Sequence, residues 1–154
     1  MTLIPEELWA ISRQASSEYP KECCGVVLVR GDERRHMPCR NIQDEKHAED
    51  PAAYPRTAES AYYMHPLDTL TWNRLLDEGW TLGVIYHSHP NAGPYFSATD
   101  RAQAIVIGVN GEPAYPGAIQ LVVSVGGGAV KAFAAYRWDP VGKGFSRFDE
   151  GDIT

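Results

Sequence analysis

The sequence predicts an α/β (α+β) domain, a mixed β-sheet flanked by about three helices. Three observations lead there. Short β-branched runs are interleaved with helix-period segments along most of the chain. Two late apolar runs, AIQLVVSV (118–125) and AVKAFAAYRW (129–138), flank Gly126-Gly127-Gly128, which is a hairpin signal. Neither G-x-G-x-x-G nor G-x-x-x-x-G-K-[ST] occurs, so a doubly wound nucleotide-binding sheet fits poorly.

Taken in order, Pro5 with Glu6 and Glu7 opens a helix, because proline suits the first turn and acids suit the positive end of the dipole. Ile4, Leu8, Ile11 and Ala15 recur at helical spacing, and the helix should end before Tyr19-Pro20. GVVLVR (25–30) reads as a strand, Gly31-Asp32 as a turn, and residues 34–39 as a second strand. Residues 41–57 are polar and hold Pro51 and Pro55; they predict a loop, the most mobile of the chain. SAYYMH (60–65) reads as a strand. Pro66 opens a helix up to Gly79, with Leu67, Leu70, Leu75 and Leu76 as its apolar face. TLGVIYHSH (81–89) is the clearest central strand, and Ser97 resembles an N-cap before ATDRAQAIVIG (98–108). A short strand around 145–148 ends the list. The length of 154 residues fits one domain, with its core over about 4–138 and an uncertain tail over 139–154.

Composition excludes some function classes. The net charge of −6 and the scatter of Arg34, Arg35 and Arg40 among acids speak against a nucleic-acid surface. No window of 18 apolar residues occurs, so no membrane partner is expected. Cys23, Cys24 and Cys39 are an odd number without a secretion signal, which predicts reduced thiols in a cytoplasm. Adjacent Cys23 and Cys24 lack structural zinc spacing, and on a strand they would face opposite ways.

HSHPNAGPYFSATD (87–100) carries the chemistry. Residues i and i+2 of a strand share a face, so His87 and His89 present parallel imidazoles at the strand end. Pro90 turns the chain, and Asp100 falls in the first turn of the next helix. Two nitrogens and one carboxylate oxygen suit Zn²⁺, one per chain, with a fourth position left for water. The plain alternatives are a Ser97-x-x-Asp100 capping pair and a partly exposed polar histidine pair. Capping and ligation are compatible. Activating a water also needs a base, and Glu22 in YPKECCG (19–25) lies where a helix ends and a strand begins. The alternative for Glu22 is a solvated turn acid.

These residues resemble the JAMM, or MPN-plus (Mov34/MPN/PAD-1), metalloproteases of the stand-alone prokaryotic type. HSHP with Ser97 and Asp100 is similar to the family's His-x-His-Pro-x₆-Ser-x₂-Asp, and YPKECCG to its Pro-x-Glu-x-Cys-Gly segment. LGVIYHSHP resembles the strand leading into the ligands, and QLVVSV the next core strand. RadC-type proteins, with His-Asn-His-Pro, fit less well. The resemblance spans residues 4–138. It implies a curved MPN/JAB-like sheet, zinc on His87, His89 and Asp100, Glu22 as general base and Ser97 as oxyanion donor. It further implies a metallopeptidase that cuts an amide or isopeptide bond at the tail of a ubiquitin-like or sulfur-carrier protein. The insertions that eukaryotic relatives use to grip two ubiquitins have no obvious room. The competing reading is a non-catalytic, zinc-stabilised interaction module, including one in phage-tail assembly. A zinc deaminase is disfavoured, because H-x-E and P-C-x-x-C are absent.

Overall fold

The computed structural model describes residues 2–106 and 110–152. Its elements are α1 (Pro5–Glu18), β1 (Cys24–Arg30), β2 (Glu33–Cys39), α2 (Gln43–Glu49), α3 (Pro66–Asp77), β3 (Thr81–Pro90), α4 (Ala98–Val106), β4 (Ile119–Gly126), β5 (Ala129–Asp139) and β6 (Gly144–Asp152). The strands form one sheet in the order β2-β1-β3-β4-β5-β6. Among the described residues, only β3 and β4 run parallel. A parallel pair needs a crossover, and α4 lies in it. The mixed sheet with flanking helices is the expected class.

Side-chain alternation divides the core into layers. Val27, Val84, Tyr86, Ile119, Leu121, Val123 and Val125 lie on one face with Ile11 and Ala15 of α1. Cys24, Val26, Leu28 and Leu82 lie on the other with Trp72 of α3 and Trp80. Val122, Ala134, Tyr136, Trp138 and Phe145 pack with Phe96, against Ala104 and Ile105 of α4. Cys23 and Cys24 do enter opposite layers, and both are free thiols, as is Cys39. The β4–β5 turn is made by Gly127 and Gly128, both at positive φ, as a tight hairpin requires.

Several expectations need correction. There are four helices among the described residues, because α2 occupies part of the segment read as a loop. Its sequence, QDEKHAE, buries only Gln43 and so shows no apolar stripe. Residues 60–65 form no named strand; they contribute one bridge, Asn41 to Met64. On α3, Leu67 and Leu70 are exposed, and Trp72 is the buried anchor with Leu75 and Leu76 beside it. The last strand is longer than 145–148 and forms a sheet edge. Helix α4 is described to Val106; the end expected at Gly108 lies outside the described residues.

Gly25 marks the tightest approach in the sheet. The Tyr86 hydroxyl below it accepts from His36 Nε2 at 2.7 Å and donates to Gln14 Oε1, so the ring is pinned. A Cβ at Gly25 would overlap that ring and its hydroxyl and stand 2.7 Å from the Met37 carbonyl oxygen. Gly25→Ala is therefore expected to cost about 1–3 kcal/mol as an overpacking change. Urea unfolding checks this; an unchanged midpoint would mean that Tyr86 gives way freely.

Candidate metal centre

The site forms where β3 ends. Strand β3 runs through Pro90, and Asn91 then takes φ 57° with its N–H donating to Val125 O at 2.6 Å. His87 and His89 thus sit side by side on one face, and both are buried. Helix α4 brings Asp100 to them. Ser97 and Asp100 form a reciprocal box: Ser97 N–H donates to Asp100 Oδ2, and Asp100 N–H to Ser97 Oγ, each at 3.0 Å. The capping reading is correct, and Asp100 still faces the histidines.

Three donor atoms meet there. His87 Nε2 and His89 Nε2 are 3.1 Å apart, and each lies 3.2 Å from Asp100 Oδ2. Tetrahedral zinc bonds of ~2.0–2.1 Å place ligand atoms about 3.3 Å apart. The triangle therefore fits such an ion without rearrangement. The imidazole tautomer agrees: His89 Nδ1 donates to Gly93 O at 2.9 Å, which leaves Nε2 of the neutral ring as a lone pair. His87, His89 and Asp100 form a group that can hold a metal ion.

Burial opposes the Asp100 charge, but hydrogen bonds from His87, His89 and the Ser97 N–H outweigh it and hold its carboxyl well below the usual range. Desolvation works against the charged form of His89 too, yet Asp100 and Gly93 raise its pKa overall.

Glu22 enters the same space from the loop between α1 and β1. It is 4% exposed and lines a cavity of about 120 Å³ with His89, Ser97, Asp100, Tyr62 and Arg56. Desolvation raises it to about 7, against lowering by His87 and His89. The solvated-turn reading of Glu22 is thereby overturned by its burial. The structure thus brings Glu22, His87, His89, Ser97 and Asp100 together. A larger depression of about 1330 Å³ runs along α1 past Trp9, Arg13 and Val130, but it has no convergent donor set. Burial pushes the Cys23 and Cys39 thiols up to about 12 and Cys24 higher still, so none is a thiolate at neutral pH.

Four contributors were not foreseen. Tyr62 stacks on His87 with centroids 4.9 Å apart, and Tyr95 leans on His89 at 5.0 Å. Ser88, between the histidines, accepts from Cys23 N–H at 2.7 Å through Oγ and donates its own N–H to Cys23 O at 3.1 Å. Asn41 holds the backbone around Glu22. Of these, only Ser88 had a local signal, an inward polar residue between the two candidate histidines.

A mixed-sheet domain with a buried His-His-Asp group at one strand end, open to a cavity with a further carboxylate, is a domain that can hold a single metal ion. Residues 6–139 match the sequence model of the prokaryotic homologs of the JAB domain (Prok-JAB), and the chain belongs to that family. It is 29% identical to the desampylase of Haloferax volcanii over 125 residues, 80% of this chain and 74% of that protein. It is 36% identical to tail tip assembly protein K of Escherichia phage N15 over 95 residues. That match covers 61% of this chain but only 32% of the phage protein. A solution structure of a Salinibacter ruber protein has a TM-score of 0.59 at 25% identity, covering 97% of this chain and 89% of that one. A second, of DSY2949 from Desulfitobacterium hafniense, has a TM-score of 0.53 at 22% identity, covering 94% and 84%, and speaks for the fold alone. No helix among the described residues is long and apolar enough to cross a membrane.

Ser97→Ala removes the hydroxyl that caps α4 and is expected to lower stability by about 1 kcal/mol. Chemical denaturation of the metal-free protein checks this; no loss would show that the Ser97 N–H to Asp100 bond suffices.

Proposed function

We propose that this protein is a zinc-dependent hydrolase of amide or isopeptide bonds, acting at the flexible C-terminal tail of a ubiquitin-like or sulfur-carrier protein. The carrying observation is the donor triangle with a buried Glu22 in the same cavity. Family membership and the desampylase likeness support it. Three buried free cysteines fit a reducing, cytoplasmic setting.

His87, His89 and Asp100 would hold the zinc. When bound, zinc supplies a Lewis acid that acidifies water and polarises a carbonyl. The protein's own groups do the rest. The Glu22 carboxylate takes a proton from the attacking water as its oxygen bonds to the carbonyl carbon. It then passes that proton to the nitrogen as the C–N bond breaks, leaving a carboxylic acid and an amine. A carboxyl that burial raises above its ordinary range is suited both to accept and to return a proton near neutral pH. Ser97 Oγ already accepts from the Asp100 N–H, so its own proton is free to reach the oxyanion.

One zinc per chain is expected by metal analysis, lost in His87→Ala, His89→Ala and Asp100→Ala. Glu22→Gln should keep the zinc and lose turnover, and Ser97→Ala should slow turnover about 10²-fold. A wild type that holds its zinc but cleaves no tail, so that Glu22→Gln changes nothing, would favour the second reading, a zinc-stabilised module without catalysis. The likeness to the phage tail-tip protein is the observation behind that reading.

The small cavity between Tyr62 and Tyr95 suits a residue without a side chain before the cut bond. Matched tails ending in Gly-Gly or Val-Val, fused to a ubiquitin-like domain, test this. The Gly-Gly tail should be cleaved at least tenfold faster; equal rates, both abolished by Glu22→Gln, would keep the hydrolase and discard the glycine preference.

A further inference from the structure

The segment 41–64 is tied to the Glu22 loop by several bonds, and four hydrogen bonds around that junction meet at one side chain, Asn41. Asn41 Nδ2 donates to Glu22 O at 2.8 Å and to Ala61 O at 3.2 Å. Its Oδ1 accepts from the N–H groups of Gln43 and Tyr63, each at 3.0 Å. Both donors and both lone pairs of the amide are used. The surroundings also set its orientation: a flipped amide would face two carbonyls with oxygen and two N–H groups with nitrogen.

The other side of the Glu22 residue is held by the same segment. Glu22 N–H donates to Ala58 O at 2.7 Å, and Ala58 N–H donates to Asp44 Oδ1 at 2.7 Å. Asp44 in turn pairs with Lys21 at 3.1 Å. Glu22 itself makes no side-chain hydrogen bond among those described, so its backbone anchors set where the carboxylate points. Tyr62, which stacks on His87, lies between Ala61 and Tyr63, the two residues that Asn41 also binds.

We propose that Asn41 is a positioning residue for the hydrolysis, an assignment that rests on the hydrolase reading above. It fixes the Glu22 carboxylate and the Tyr62 ring in one relation to His87, His89 and Asp100. It touches neither the ligands nor the reacting bond. Its effect comes through distance, since a shift of about 1 Å in a catalytic group can cost ~10²-fold in rate.

The test uses the zinc-loaded full chain and the Gly-Gly tail fusion. Asn41→Asp keeps the shape but sets a carboxylate oxygen against the carbonyls of Glu22 and Ala61. Asn41→Ala deletes the bonds without that repulsion. Both should keep one zinc per chain and a KM within about threefold of wild type, with kcat lowered about 10²-fold. The amide proton of Glu22 should exchange with solvent at least about tenfold faster in both variants, and that of Tyr63 in Asn41→Ala, which removes its acceptor. Leu28→Ala, in the core under α3, serves as a destabilised control and should keep kcat. The inference is overturned if kcat stays within threefold in a folded variant, if Leu28→Ala loses as much, or if neither Asn41 variant folds. A wild type that cleaves no amide in any tail fusion overturns the hydrolase reading itself; an active, Glu22-dependent wild type with active Asn41 variants overturns this inference alone.

Discussion

The site depends on the pairing of β1 with β3. Cys24 stands opposite His87 in this antiparallel ladder, and just beyond it Ser88 and Cys23 exchange two hydrogen bonds. These contacts bring the residue before Cys23 to the end of the strand that carries both histidines. A slip of one residue would turn His87 and His89 to the α1 face, away from Asp100. Burial of Val84 and Tyr86 on that face opposes such a slip, as does the close fit of Gly25 over Tyr86.

Two carboxyl groups in one cavity are driven in opposite directions. Asp100 lies at the start of a helix, accepts the Ser97 N–H and faces two imidazoles, so it stays ionised despite burial. Glu22 has no such partners among the described contacts and is held mostly by its backbone, so desolvation raises it. The opposite drives match the proposed roles of the two carboxyls, a fixed ligand and an exchangeable proton site. Aromatic rings complete the setting: Tyr62 and Tyr95 cover the two histidines.

Much of the fold was legible, for identifiable reasons. Helix α1 and strands β1, β3 and β4 bury regular stripes, and such stripes are written in the residue order as a period of 3.6 or 2. Helix α2 was not legible, because a seven-residue polar helix with one buried side chain has no stripe. Residues 60–65 looked like a strand because their composition is β-prone, yet their partners leave room for one bridge only. Leu67 and Leu70 matched a helical face on paper, but α3 turns Trp72 to the sheet instead.

By itself the sequence determined the mixed sheet, the glycine hairpin, and the convergence of His87, His89 and Asp100, because all three residues lie within 14 positions on a strand end and a helix start. Strand alternation and helix capping are local rules, so local order suffices to state them. The tertiary structure decided the rest: that Glu22, 65 positions before His87, shares their cavity, that its carboxyl is raised, and that Asn41 and Tyr62 hold and cover the site. Such relations depend on strand register and on burial from every side, and neither is a property of any short stretch of chain.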